Sequence, residues 1–571
     1  MMNADEEIPM VPRKSLILAS AVTVLAIALW PSFETTNAQG SSSGLTGQVS
    51  SAREGRLEGV LVTAKRAGSN IATTVVSGAD GTYTFPHDRL QPGQHEITIR
   101  ASGYVMPAAT VDVAATGSTR LNLELRQANA LELALQLTDP EWLASYPLDD
   151  KTKFDLLRDC SRCHTLQRPS FSRYNAEQLA WVLKRMVYSA GSSPMTFQLP
   201  APQTPTWGRA EWGEPSALHR QQAEAVAKIN LHSGMWQYEL KTLPRPKGAE
   251  TRVIYTTWQL PATDRPHDTR IGKDGLIYFN HFNDNAIGRL NPKTGETKRW
   301  RWPYRAKEGS FAPTGARTMM GPDHKGRFYI GNQAQGGLVV FDPATEKFTF
   351  VDPPGEGEMI DVSASRVDGH GWRTERGSAY LIDLETWEHK EFKGERPLVA
   401  YDIAADTKNN LFGASRNSRY VWRVDKTSGQ VSYYDIPAQP RSVGGGGGGM
   451  RRGIADAQDR LWWGGYDGNF VGMLDPRQPA GKEITLYPMP PWFFPYDAHH
   501  DNQGYTWTGG IYADRVARLN VKTGTWNYYL LPFEANIRDI DLQPAAAGGL
   551  SGLWLGHTHQ GLITLVEPLA P

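Results

Sequence analysis

From residue 266 onward the chain repeats one short pattern, and this limits its fold more than any other feature. The clearest copy reads Pro266-His267-Asp268, then Lys273-Asp274-Gly275-Leu276-Ile277-Tyr278-Phe279, then Asn285-Ala286-Ile287-Gly288-Arg289-Leu290, then Pro292-Lys293-Thr294-Gly295. The same order returns at Pro495-Tyr496-Asp497, Asn502-Gln503-Gly504-Tyr505-Thr506-Trp507, Asp514-Arg515-Val516-Ala517-Arg518-Leu519 and Lys522-Thr523-Gly524. Weaker copies begin near Arg317, Asp361, Asp402, Arg452 and Asp539, so seven units follow at intervals of 41 to 50 residues. A unit of that length holds four short strands, and one four-stranded sheet cannot bury its own face. Seven units over residues 251–571 are therefore expected to close into a β-propeller. The last unit stops at a third strand, Leu562–Val566, while Arg252–Leu260 is a lone strand ahead of the first. That lone strand is predicted to complete the last blade, which leaves no open edge in the ring.

In each unit the innermost strand begins at the Pro-His-Asp position, and second strands begin at Ile277, Trp507 and Trp554. Loops joining these two strands are expected to line one mouth of the channel. They would place His267, Asp268, Arg317, Asp402, Arg451, Arg452, Asp497, His499, His500, Arg538 and Asp539 there, with His281, His557 and His559 just past the second strands. Ring closure makes the sixth, seventh and first units neighbours, so five or six of the 14 histidines are expected to converge. Such a cluster suits a divalent metal or acid–base chemistry. The plain alternative is a polar, wet channel whose repeated turns place histidines by descent. On the first reading, His267, Asp268, His281, Asp497, His499, His500, His557 and His559 are the candidate catalytic residues. Gly444–Gly449, ahead of Met450, reads as a slack loop or a lid at the same mouth.

The order Pro-His, Asp-Gly, aromatic strand and Asn-x-Ile-Gly-Arg-Leu resembles the streptogramin B lyase family, also called virginiamycin B lyase, across residues 251–571. The resemblance implies a seven-bladed propeller and a metal-assisted elimination at its funnel, which opens an ester ring with histidine and glutamate side chains. This sequence departs from that pattern. Asn280-His281 stands where the family has glutamate, His557 holds the comparable place in the last unit, and Asp268 and Asp497 stand where glycine is common. A funnel rich in Asp and Arg suits an anionic or polar ligand instead.

A helical stretch, residues 140–240, precedes the repeats and holds the only two cysteines of the chain. They lie in Cys160-Ser161-Arg162-Cys163-His164, the spacing by which c-type haem is attached. Each thiol adds to one vinyl group of the porphyrin, the two-residue gap matches the distance between vinyls, and His164 falls under the iron as proximal ligand. A zinc site needs about four ligands, and a thioredoxin-like motif needs a βαβ frame; this sequence supplies neither. Phe154 and Leu157 give an apolar face leading into the motif. Asn175 is a predicted N-cap for a helix running to about Ala190, with Leu179, Val182, Leu183 and Met186 on one face. Met186 is placed to offer a sixth, thioether ligand to the iron. Met195, a histidine or an open position are the alternatives, and core filling is the ordinary role of a helical Met. The segment resembles a small cytochrome c, particularly the type whose tryptophan-bearing helix ends in Arg-Met, here Trp181 to Arg185-Met186. The cofactor-binding set is then Cys160, Cys163, His164 and Met186 around one covalent haem c. Pro-rich Leu243-Pro244-Arg245-Pro246 reads as a linker into the propeller.

Residues 43–127 alternate apolar and polar between turn signals, with Val60-Leu61-Val62, Thr82-Tyr83-Thr84-Phe85 and Ile97-Thr98-Ile99 as strands. That pattern predicts a small β-sandwich. Gly47-Gln48-Val49, Gly59-Val60, Asp80-Gly81-Thr82-Tyr83, Pro92-Gly93 and Ala101-Ser102-Gly103-Tyr104 resemble the carboxypeptidase regulatory-like family, which implies a non-catalytic spacer or docking module. Ahead of it, Arg13 and Lys14 precede the apolar run Ser15–Trp30, Pro31 ends it, and Thr36-Asn37-Ala38 supplies small residues. This predicts a secretory signal over residues 1–38, cleaved after Ala38, by the general route because no twin arginine is present. The rival is an uncleaved anchor, since about 16 apolar residues lie just below spanning length.

Cleavage implies a periplasmic or secreted protein with no stable membrane span. Lys plus Arg number 60 and Asp plus Glu number 60, so no basic excess exists to meet nucleic-acid phosphates. The expected chain is multidomain and mainly β: an N-terminal β-sandwich, a small α-helical cytochrome c domain and a C-terminal seven-bladed β-propeller. The leading expectation is an exported haem protein of electron transfer or oxidoreduction, whose propeller funnel binds a small-molecule substrate or a periplasmic redox partner. The fusion motivates it, because elimination chemistry needs no electron carrier. The alternatives are a metal-dependent lyase with an accessory haem domain, and a non-catalytic binding or scaffold protein.

Overall fold

The computed structural model describes residues 43–161, 164–189, 213–282, 284–303, 318–331, 338–351, 360–375, 377–438, 447–546, 548–558 and 560–570. Within them the repeat forms seven four-stranded antiparallel blades. The first comprises Pro266–Ile271, Ile277–His281, Ala286–Leu290 and Thr297–Arg301. The innermost strands of the next five are Thr318–Met320, Ile360–Asp361, Asp402–Ala405, Gly453–Ala455 and Pro495–His500. The seventh blade takes Ile540–Gln543, Gly552–His557 and Leu562–Pro568 from the end of the chain, and its outer strand, Val253–Gln259, from the start of the propeller. Pairing runs from Val253 opposite Pro568 to Gln259 opposite Leu562, so the ring closes as the lone strand predicted.

The physical core of the repeat is an aspartate in the turn between first and second strands. Asp456 accepts the backbone N–H groups of Gln458 and Arg460 and, deeper in the blade, the indole N–H of Trp462 at 2.8 Å. Asp323 does the same for Lys325, Arg327 and the Tyr329 hydroxyl, and Asp501 for Gln503, Tyr505 and the Trp507 indole. One carboxylate thus folds the turn and orients the aromatic side chain that fills the space between blades. Trp372, Trp422, Trp462, Trp463 and Trp507 are all fully buried there.

The N-terminal segment forms two packed layers. Ser43–Ser51 pairs with Thr82–Pro86 and Leu123–Gln127, and Leu61–Arg66, Ile71–Val76, Gly93–Arg100 and Ala109–Val113 make the other sheet. Leu45, Val62, Tyr83, Phe85 and Ile97 fill the space between them. Gly47 has no substitute in this packing: a Cβ there would lie 1.6 Å from the Leu121 carbonyl oxygen. The second sheet does not end at its own edge. Ile71–Val76 pairs antiparallel with Val253–Gln259, from Ile254 opposite Val75 to Trp258 opposite Ile71, and an eight-stranded sheet runs through sandwich and closing blade. Arg89 clasps Glu567 with two bonds of 2.7 and 2.9 Å, and Arg100 reaches Asp514 and the Leu531 carbonyl, both at 2.8 Å.

Helices Asp139–Ser145, Asp150–Cys160, Ala176–Ser189 and Ala217–Ala227 make the middle segment, which begins earlier than residue 140, with Ala134 and Leu137 already in its core. Asn175 caps Ala176–Ser189 as predicted, exchanging side-chain bonds with Gln178. The helical core is continuous with propeller residues Tyr466, Phe494, Tyr496, Ile511 and Tyr512. The expected linker Leu243–Pro246 is in fact a strap pinned on three sides. Leu243 donates its N–H to Glu141, Arg245 pairs with Glu54 at 2.7 Å, and Arg515 reaches the Pro244 carbonyl. Its proline-rich composition reads as a linker, but its partners are far away in sequence and left no local signal. No described helix is long and apolar enough to cross a membrane, and the predicted signal lies outside the described residues.

Candidate functional site

Two places gather chemistry, and they share one rim of the propeller. The first is a cavity of about 700 Å³. Helix Asp150–Cys160 is started by Asp149, whose carboxylate caps the Thr152 N–H, and it delivers Cys160 to the cavity wall at its last turn. Downstream, the buried Asp139 carboxyl accepts the Leu166 N–H at 2.7 Å and fixes the chain that leaves the Cys-His motif. Burial pushes the Asp139 carboxyl up to about 8. His164 also lines the cavity. Its Nδ1 donates to the Thr165 carbonyl at 3.0 Å, while its buried Nε2 has no hydrogen-bond partner. Burial holds the imidazole below its ordinary range, and therefore neutral. A neutral ring with Nδ1–H spent on a carbonyl leaves a lone pair on Nε2, the tautomer a metal ligand requires.

Leu179, Val182, Leu183 and Met186, all from helix Ala176–Ser189, line the same space together with Phe171 and Tyr174. The cavity is of the size cofactor pockets have. A thiol, an imidazole with its ligating nitrogen unspent, a thioether and apolar walls fit a tethered haem. Cys163 and Met195 lie outside the described residues. Sequence reasoning missed two further wall residues, Glu534 and Gln560, which come from the propeller rim and had no local signal.

The second place is the axial channel. Arg452 of blade five reaches across it to Asp539 of blade seven at 2.6 Å and Asp268 of blade one at 3.0 Å. Arg270 forks onto Asp539, and His267 Nδ1 meets Asp268. These buried charges bridge blades one, five and seven and form an ionic floor across the channel. Burial alone would raise Asp268, but Arg452 and His267 hold it below the usual carboxylate range. Burial takes His267 down to about 4, and it outweighs Arg270 and Arg452 to push Asp539 up to about 6. Most of these aspartates also join neighbouring blades through the backbone. Asp268 accepts the Met319 N–H at 2.6 Å, Asp361 that of Ala405 at 2.9 Å, and Asp402 that of Gly453 at 3.1 Å. Asp539 and Asp541 accept those of Thr269 and Ile271. Asp268, a candidate catalytic residue from sequence, is thus first a staple between blades one and two.

Beside the floor stand the residues that immediately precede Asp268, Asp402, Arg452, Asp497 and Asp539, namely His267, Tyr401, Arg451, Tyr496 and Arg538, and these are called the mouth. The Arg451 guanidinium lies 4.4, 4.7 and 5.1 Å from the ring centres of Tyr401, Tyr496 and Tyr466. The Tyr401 and Tyr496 hydroxyls are 2.6 Å apart. Arg538 lies over Phe282 at 5.0 Å, and His267 stacks on the same ring at 4.7 Å. Burial works to raise the Tyr496 phenol, yet Arg451, Arg452 and Arg538 bring it below its ordinary value. The Tyr-Asp pairs at 401–402 and 496–497 were the legible signal for this ring.

Several expectations need correction. His267 and its neighbours do not lie at loops joining first and second strands. Pro266 pairs with His281, so both stand at the opposite rim, where the chain enters each blade and second strands end. The histidines do not converge either. His557 is buried against Thr564 within its own blade, His500 stacks on Trp462 at 4.8 Å, and His281 is enclosed 3.6 Å from Asp264. His499 stays with Asp497 at 3.2 Å, which overcomes burial and raises the imidazole. Among the described residues, no three His, Cys, Asp or Glu side chains are grouped to hold a metal ion; His559 and Arg317 lie outside them. Gly447, Gly448 and Gly449 are not slack. A Cβ on them would collide with Ser418, Phe470 and Ser415 respectively; residues 444–446 are outside the described set.

Comparison with known proteins covers two of the three segments. No curated protein matches the chain by sequence. Among solved structures it is similar to a catalytically inactive virginiamycin B lyase from Staphylococcus aureus with quinupristin, at TM-score 0.45 and 16% identity, over 55% of this chain and 100% of that one. A streptogramin B lyase gives TM-score 0.45 and 16% identity over 56% and 100%, and YCF48 bound to D1 peptide gives 0.42 and 11% over 56% and 95%. By family model, residues 44–126 match the carboxypeptidase regulatory-like domain.

Proposed function

We propose that this is an exported c-type haem protein of electron transfer or oxidoreduction. Its haem would be held by Cys160, Cys163 and His164 in the cavity at the propeller rim, and its redox partner or small-molecule substrate would bind in the propeller mouth. The haem would supply one-electron transfer. The chain's own residues do the rest. His164 offers Nε2 to the iron, Thr165 fixes its ring, and Met186 is the thioether in the same wall. Leu179, Val182, Leu183 and Phe171 exclude water, which sets the potential through local polarity.

The observation that carries this reading is the shared rim. Glu534 is in the cavity wall and Arg538 is in the mouth, four residues apart on one segment. Four residues span at most about 14 Å, so electrons need no second cofactor between the two places. The docked sandwich then acts as a brace, covering the outer edge of the closing blade.

The test is a spectroscopic titration of protein matured with the haem c attachment machinery. Candidate donors are added to the oxidised protein and the visible spectrum is followed. A reduced α-band appearing with a donor supports the reading. A haem that chemical reductant reduces, but that no donor or partner protein does, would remove the electron-transfer role.

A further inference from the structure

The seam between the sandwich and the closing blade holds a second cavity, of about 390 Å³, that neither the haem motif nor the channel uses. Its floor is one row of side chains running across the joint sheet. Trp554 stands opposite Leu565, Leu565 opposite Thr256, Thr256 opposite Thr73, and Thr73 opposite Ala64. Side chains alternate along a strand, so Ile71 and Trp258, themselves a cross-strand pair, share that face. The floor therefore exists only where propeller and sandwich strands are joined. Its walls are sandwich residues 88–91 on one side and the Pro292-Lys293 turn of blade one on the other.

His95 lines the same space although only 2% of it is exposed. Its Nδ1 lies 2.9 Å from the Gly93 carbonyl, which can only accept, so Nδ1 donates. Nε2 has no hydrogen-bond partner among the described residues, and unlike the ring nitrogens of His281 it is not sealed inside protein. The Thr256 hydroxyl in the floor is likewise unpartnered among the described residues. Leaving a buried imidazole nitrogen unmet costs stability unless something enters to meet it. The wall narrows what that is. A simple anion would leave the apolar strip of Ile71, Trp258 and Leu565 unused, and the Arg89 guanidinium is already spent on Glu567. A plain aromatic ring would cover the strip but leave His95 and Thr256 unmet. A sugar ring does both, because its C–H face covers apolar side chains while the hydroxyls around its edge donate and accept.

We propose that the seam cavity binds a neutral saccharide, with one pyranose ring on Ile71, Trp258 and Leu565 and its hydroxyls on His95 and Thr256. The site is independent of the haem reading. It gives the docked sandwich a second role, since the propeller alone lacks half of the floor.

Saturation-transfer NMR and calorimetry of the full chain with glucose, galactose, N-acetylglucosamine and maltose test the assignment, with sodium acetate and benzamide as anionic and aromatic controls. At least one sugar is expected to bind saturably, and neither control is. His95→Leu and Thr256→Val should each weaken that sugar roughly fivefold, as the loss of one hydrogen bond does, and His95→Gln, which keeps an acceptor, should recover part of it. If His95→Leu does not fold, Thr256→Val, on a different strand, decides. No sugar binding, a control that binds as tightly as the best sugar, or a folded variant of either kind within twofold of wild type overturns the proposal.

Discussion

Asp402 shows how one buried carboxyl can carry both structure and pH response. Its Oδ2 accepts the Gly453 N–H between blades four and five, while Oδ1 has no partner. Burial, opposed by Arg452 and helped by Asp497, pushes it up to about 8. An unfolded aspartate titrates near about 3.9, so the folded protein holds this proton more tightly. Its contribution to stability is complete below about pH 4 and is lost as pH rises through the folded value. Asp402→Asn keeps an acceptor for Gly453 but cannot ionise. The fall in thermal midpoint between pH 4 and pH 8 should be shallower in the variant than in wild type. Parallel curves for the two proteins would show that Asp402 is ionised in the folded state.

At the scale of the element, turn aspartates hold blades two, four, five and six together. Asp456→Ala removes the acceptor of two backbone N–H groups and of the buried Trp462 indole, and should cost about 2–3 kcal/mol. Chemical denaturation followed by tryptophan fluorescence measures it, and a loss below about 0.5 kcal/mol would mean that the turn holds itself. These devices were legible in the sequence because they are local. The Asp, the Gly and the aromatic that they join lie within about six residues, so the unit repeats visibly and its inner strands could be placed. What escaped was non-local. Nothing within Ile71–Val76 points to Val253–Gln259 as its neighbour. Proline in Leu243–Pro246 reports a stiff chain and says nothing of Glu54, Glu141 and Arg515. The mouth was assigned to the wrong rim for a related reason: the motif marks where inner strands begin, and only the antiparallel pairing of Pro266 with His281 shows which end that is. The haem motif itself was legible, yet its cavity is completed by Glu534 and Gln560, more than 300 residues away.

For the whole molecule, Val253–Gln259 is the critical strand, since it closes the propeller and joins the sandwich at once. Thr256 faces Leu565 on one side and Thr73 on the other. Thr256→Pro puts a residue without an N–H into a central strand, a loss of about 3 kcal/mol or more. Limited proteolysis should then release the sandwich as a fragment, whereas in wild type the sandwich should stay with the propeller. Arg89→Ala should do far less, about 1 kcal/mol or below, because the Arg89–Glu567 pair is partly open to solvent. Equal protease resistance of Thr256→Pro and wild type would mean that the seam holds no load.

The account depends most on a haem covalently held in the rim cavity, and the intact mass of protein matured with the attachment machinery measures this directly. The result expected is the mass of the polypeptide plus one haem, reverting to polypeptide alone when Cys160 and Cys163 are both replaced by alanine. An unmodified mass for the wild-type protein, from cells that load a control cytochrome c, would contradict it.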